Sequence, residues 1–107
     1  MNILFICSRN QWRSPTGELV WKKRSGFSVR SAGTSPRAGR TVNAKDISWA
    51  DIIFVMEQKH KDRLRASFPS QTKYAKVTVL DIPDDYQYAD PELIALIKSG
   101  TDYLLGG

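Results

Sequence analysis

The chain holds a single cysteine, Cys7, with an arginine six residues on and a serine seven residues on, in the run Cys7-Ser8-Arg9-Asn10-Gln11-Trp12-Arg13-Ser14-Pro15. A thiolate is a strong nucleophile. A guanidinium offers a planar fork of N–H donors that matches two oxygens of a phosphate. Six residues let the chain fold back, so that Arg13 and the Cys7 sulfur face one bound anion. Ser14 has a hydroxyl to donate to the sulfur, steadying it as an anion and later as a leaving group. Asn10, in mid-loop, tolerates the left-handed backbone that such a reversal requires. Together these residue types allow attack of sulfur on phosphorus.

Such a loop needs a strand behind it and a helix ahead of it. Ile3 to Ile6 is a continuous apolar run of the length of a buried strand, and it ends at Cys7. Ser14-Pro15 reads as a helix start, with Ser14 as cap, Pro15 in the first helical position and the charge of Glu18 suited to a helix N-terminus. A loop between a strand end and a helix N-terminus turns backbone N–H groups inward, making an anion nest. That field also favours the thiolate form of a cysteine placed there.

The remainder alternates strand and helix. Strands are expected at Phe27 to Ser31, Ile52 to Met56 and Val77 to Leu80, with turns from Ala32 to Gly39 and a loop from Asp81 to Ala89. Asn43 is placed to cap a short helix through Trp49, and a polar helix is expected from about Glu57 to Ser67, with Leu64 and Phe68 facing inward. Asp90-Pro91 opens a last helix, with Asp90 as its cap. This alternation predicts one α/β domain over residues 1–107, with a four-stranded parallel sheet between helical layers and the phosphate loop after the first strand. Ligands of such sheets bind at the carboxyl ends of the strands, where Cys7 lies.

The totals narrow the function classes. At 107 residues, 41% hydrophobic and 25% charged, the composition is that of a globular protein. No stretch approaches the roughly 18 apolar residues of a membrane span, and no secretory signal pattern is present, so a cytoplasmic location is expected. One cysteine excludes an intramolecular disulfide and suits a reducing compartment. The net charge of +5 favours anionic partners, but the basic residues are scattered, so nucleic-acid binding is not expected as the main function. No Cys, His and carboxylate cluster has metal-ligand spacing, so no metal or other cofactor is expected. The sole histidine, His60, falls in the polar helix and reads as a surface residue away from the loop.

Ile3-Leu4-Phe5-Ile6-Cys7, Asn10, Arg13-Ser14-Pro15 and Glu18 resemble the opening of the low-molecular-weight protein tyrosine phosphatases, as in a short bacterial-type member. Ser31-Ala32-Gly33-Thr34, Arg40 through Ile47, and Ala50 through Met56 continue the likeness, and Asp81-Ile82-Pro83-Asp84-Asp85-Tyr86 resembles the loop that carries the family's catalytic acid. The resemblance implies a metal-free, two-step hydrolysis of phosphorylated protein or another anionic phosphoester. Cys7 would form a phosphocysteine, Arg13 would bind the phosphoryl group, and Asp84 would protonate the leaving oxygen and then activate water. Ser8, Arg9, Asn10, Gln11, Trp12 and Ser14 would complete the phosphate-binding loop.

The departures from the family pattern bear on the acid and the substrate. Asp85 stands where a proline should follow the acid, so Asp85 and Asp90 are alternatives to Asp84. The chain is shortened between Thr34 and Arg40. A common aromatic wall is missing there, and Arg37 lies near its place. Trp12 and Tyr86 are candidate walls for a phenyl ring, with Trp12 as core filler the alternative, and Arg37 and Arg40 suggest a more anionic substrate. Trp12 replaces a second loop cysteine found in many members, so no disulfide can protect Cys7. Rival functions are a phosphocysteine carrier and a phosphate- or phosphopeptide-binding module with little turnover. A thiol-relay arsenate reductase would need further cysteines.

Overall fold

Strand β1 (Asn2–Cys7) is the centre of the molecule, and the computed structural model describes residues 1–105 around it. Its apolar residues leave no polar face, so both of its sides must be covered. In chain order α1 (Arg13–Trp21), β2 (Ser28–Gly33), α2 (Ala44–Trp49), β3 (Ile52–Val55), α3 (Gln58–Ser67), α4 (Pro69–Thr72), β4 (Val77–Val79) and α5 (Pro91–Leu105) follow. The strands form one parallel sheet in the order β2-β1-β3-β4. The fold class expected from the alternation is therefore the one observed.

The period of two along β1 sorts its side chains between two cores. Ile3, Phe5 and Cys7 join Trp21, Ile52, Phe54, Leu93 and Ile97 on the face covered by α1 and α5. Leu4 and Ile6 join Val42, Ile47, Ile53, Val55 and Leu64 on the face covered by α2 and α3. Helix α1 can lie this close to the sheet because Gly17 faces Phe5; a Cβ there would stand 2.5 Å from the Phe5 ring. Trp21, wholly buried under α1, donates its ring N–H to Thr101 of α5 at 3.0 Å.

The elements match the expected ones with local differences. Helix α1 begins at Arg13, two residues earlier than Ser14 as cap and Pro15 as first helical residue suggested, and has no side-chain cap. Ser14 is drawn into the network around Cys7 instead, and Pro15 sits harmlessly in the first turn, where N–H groups lack intrahelical partners. Strand β2 runs to Gly33, past the expected turn at Ala32, because it stays paired with β1 as far as Cys7. Asn43 caps α2 with a full capping box, its side chain accepting from the Asp46 N–H while Asp46 accepts from the Asn43 N–H. Asp90 accepts from the Glu92 N–H at 2.9 Å at the start of α5, as expected of a cap. The short helix α4 was not foreseen; Pro69 at its start carries the signal.

Candidate active site

The loop after β1 is shaped from outside. The carbonyls of Cys7, Ser8 and Arg9 accept from the N–H groups of Thr34, Ser35 and Gly39, at 3.0, 2.9 and 3.0 Å. With its carbonyls held outward, the loop leaves the N–H groups of residues 8 to 12 without a protein acceptor among the described residues. Asn10 makes the reversal at φ 54°, the left-handed conformation expected of it. Its side chain then locks the turn, since Nδ2 donates both hydrogens, to Ser14 Oγ and to Ser31 Oγ, each at 3.0 Å. Ser31 in turn donates to Glu18 at 2.7 Å, so Glu18 ends a polar chain rather than favouring a helix terminus.

Ser14 is held in the same network. Its oxygen lies 3.0 Å from Cys7 Sγ and 3.3 Å from the Ala32 carbonyl. Asn10 donates to that oxygen, and Ser14's one hydrogen is within reach of both the sulfur and the Ala32 carbonyl.

Arg13 is 2% exposed, and its guanidinium is aimed by other elements. Nη1 donates to the Glu57 carboxylate at 2.6 Å and to the Ile82 carbonyl at 2.8 Å, while Nε lies 3.6 Å from Asp84 Oδ1. Nη2 has no protein partner among the described residues. Burial pushes the Glu57 carboxyl up, but the hydrogen bond and charge of Arg13, with Lys59 and His60, outweigh it and hold it below its ordinary value.

Cys7, Ser8, Arg9, Gln11, Trp12, Arg13 and Asp84 line one pocket of about 280 Å³, open to solvent at its mouth. Thus the candidate nucleophile and clamp and one of the three candidate acids meet there, although Asp84 is separated from Cys7 by most of the chain. Asp84 is 62% exposed, Asp85 is not among the lining residues, and the Asp90 carboxylate is engaged at the start of α5. Trp12 is 37% exposed and lines the pocket, so it is not core filler. Asn10 and Ser14 stand behind the pocket rather than in it.

Three candidate substrate contacts lie elsewhere. Tyr86 does not line the pocket; its ring packs half-buried against the Ile82 and Leu93 core, and its hydroxyl donates to Glu92 at 3.4 Å. Desolvation and the Glu92 carboxylate raise its phenol above the ordinary value. Arg40 is bound to the buried Asp46 carboxylate and to the Ser31 carbonyl, because Asp46 needs a cation. Arg37 is exposed in the turn before it and is not among the lining residues.

His60 corrects the sequence reading most sharply. It is 1% exposed, not a surface residue, and touches the loop. Its Nδ1 accepts from the Glu57 N–H at 3.0 Å, which leaves its proton on Nε2, 2.8 Å from Ser8 Oγ. Burial, and then the charge of Arg13, push it from 6.5 down to about 4, so it is neutral at ordinary pH. The only sequence signal was its position three residues after Glu57, where a side chain can reach back to the helix cap.

No protein-family model matches the chain, and no curated protein matches it. Solved structures do. The low-molecular-weight phosphotyrosine phosphatase from Vibrio cholerae O395 superposes with a TM-score of 0.78 at 23% identity, covering 99% of this chain and 95% of that one. The YwlE arginine phosphatase from Geobacillus stearothermophilus gives 0.71 at 24% identity, covering 98% and 93%. A protein tyrosine phosphatase from Entamoeba histolytica, in a product-state mimic, gives 0.76 at 23% identity over 98% and 93%.

Proposed function

We propose that this chain, which has the low-molecular-weight phosphatase fold, is a cysteine-dependent phosphomonoester hydrolase whose substrates are phosphotyrosine-bearing proteins. One observation carries the reading: Cys7, Arg13 and Asp84 line a single pocket with loop residues whose N–H groups have no protein acceptor among the described residues. The phosphate dianion settles on those N–H groups, with Arg13 Nη2 on one of its oxygens. Cys7 Sγ attacks phosphorus from one side, the P–O bond to the phenol breaks on the other, and Asp84 gives the departing oxygen its proton. The carboxylate so formed takes a proton from water, whose oxygen attacks phosphorus and breaks the S–P bond. Ser14 steadies the sulfur as it leaves. Trp12 flanks the ring of the substrate, and a reducing cytoplasm keeps the lone thiol active.

The assay is phosphate release from p-nitrophenyl phosphate and from a phosphotyrosine peptide, by wild type, Cys7→Ser and Asp84→Asn. We expect turnover in wild type and none in Cys7→Ser. Phosphate binding without turnover in wild type would make the chain a binding module, and phosphocysteine persisting on the intact protein would make it a carrier. A phosphoarginine peptide is the control for the substrate, and faster release from it than from phosphotyrosine would overturn the tyrosine assignment.

A further inference from the structure

Ser8 belongs to two hollows. On one side it lines the pocket of Cys7, and on the other a hollow of about 480 Å³ lined by Ser8, Thr34, Ser35, Lys59, His60 and Arg63. No carboxylate lines this second hollow. Lys59 and Arg63 are four residues apart on α3 and so project from one face of the helix. Arg63 has no ion pair among the described residues. Lys59 has one, to Glu57 at 3.7 Å, and the same carboxylate oxygen is held by Arg13 at 2.6 Å. Two cations therefore line a hollow with hydroxyls and no carboxylate, one of them unpaired among the described residues and the other sharing its carboxylate with Arg13. The wall between the hollows is a hydrogen-bond donor as well, since His60 gives its Nε2 proton to Ser8 Oγ and leaves the Ser8 hydroxyl hydrogen to turn to either side.

We infer that this hollow is a second anion subsite, so that the preferred substrate is a phosphopeptide with a second anionic group, carboxylate or phosphate, beside the scissile phosphate. The inference rests on the proposed phosphatase reading and names its substrate class. The scissile phosphate occupies the Cys7 pocket, and the neighbouring anion reaches across Ser8 to Arg63 and Lys59. The basic contribution to specificity thus comes from α3, while Arg40, expected from the sequence to contact an anionic substrate, is held by Asp46.

The test compares three phosphotyrosine peptides that differ only at the positions flanking the phosphotyrosine: neutral amides, carboxylates, or one phosphoserine. Wild type at low salt should show a kcat/KM about tenfold higher for a doubly anionic peptide than for the neutral one, the scale of one or two charge-assisted hydrogen bonds at a partly exposed site. In the double variant Lys59→Gln, Arg63→Gln the ratio should fall to within about twofold of one, and Arg63→Lys alone should keep part of it. Which of the two anionic peptides gives the higher ratio identifies the group. Because each ratio is taken within one protein, a loss of folding lowers both terms and leaves it unchanged. A wild-type ratio near one, or a ratio that survives in the double variant, overturns the subsite. If no peptide is turned over, the phosphatase reading fails by itself, and the same ratio is read as peptide Kd on Cys7→Ser by fluorescence anisotropy. Equal Kd values for neutral and anionic peptides would then overturn the subsite separately.

Discussion

Asn10 donates both amide hydrogens to hydroxyls, and so holds Ser14 Oγ in place beside the sulfur. The links of the chain Glu18–Ser31–Asn10–Ser14 that reach Cys7 are uncharged, so the network orients the loop without placing a charge beside the sulfur. Asp84 works at the other end of the reaction, on the leaving group, and this gives it a distinct signature. Protonating the leaving oxygen matters most when that oxygen is a poor leaving group, as in tyrosine, whose hydroxyl has a pKa of about 10. Asp84→Asn should lower kcat for a phosphotyrosine peptide by about a hundredfold or more, and by less for p-nitrophenyl phosphate, whose phenol is more acidic. Equal losses on the two substrates would remove Asp84 from the acid role.

At the scale of elements, the start of α3 grips the loop at both ends. Glu57 holds Arg13 with its carboxylate, and its N–H holds His60, which holds Ser8. Glu57→Gln keeps the shape but removes the charge-assisted bond, and should cost about 1 to 3 kcal/mol in a denaturant titration. It should also lower kcat/KM as Arg13 loses its aim. His60 supplies a pH signature. Its folded value, about 4, lies below its ordinary 6.5, so as pH falls the unfolded chain takes up the proton first. The stability it contributes is complete above pH 6.5 and is lost as pH falls towards 4, by about 2 kcal/mol between pH 7.5 and 5. Glu57, whose value is also lowered, acts below pH 4.5, outside this window. Urea midpoints measured across that range should slope in wild type and flatten in His60→Gln. A slope unchanged by the substitution would assign the acid sensitivity to other groups.

Across the whole molecule, the sheet is what brings the distant pieces to one pocket. Register pairs Cys7 with Gly33, so the end of β2 lies against the loop, and a Cβ on Gly33 would stand 2.7 Å from the Ala38 Cβ and 2.9 Å from the Asn10 nitrogen. Since Asn10 is fixed by two hydrogen bonds and a left-handed turn, it has little room to yield. Gly33→Ala should therefore displace the loop, lowering kcat/KM by tenfold or more and costing about 1 to 3 kcal/mol of stability. A variant with wild-type kinetics and an unchanged Tm would show that the loop is not held by this contact. Both faces of β1 feed cores, one under α1 and α5 and the other under α2 and α3, so the strand end that carries Cys7 is fixed from both sides.

The sequence by itself determined what depends on neighbours along the chain: the apolar run that makes β1, the left-handed Asn10, the capping residues Asn43 and Asp90, and the spacing of Cys7, Arg13 and Ser14. It also identified the loop that holds Asp84, through its likeness to a known motif. Local pattern could not reveal how hydrogens and charges are shared between segments far apart. Ser14 looked like a helix cap until the fold set it against Cys7, and Arg40 looked free until Asp46 claimed it. His60 lies in a polar helix, and only the packing of α3 against the loop buries it and makes it Ser8's donor. Periodicity reports which face of an element is apolar; which polar side chain meets which partner is decided when the elements close on one another.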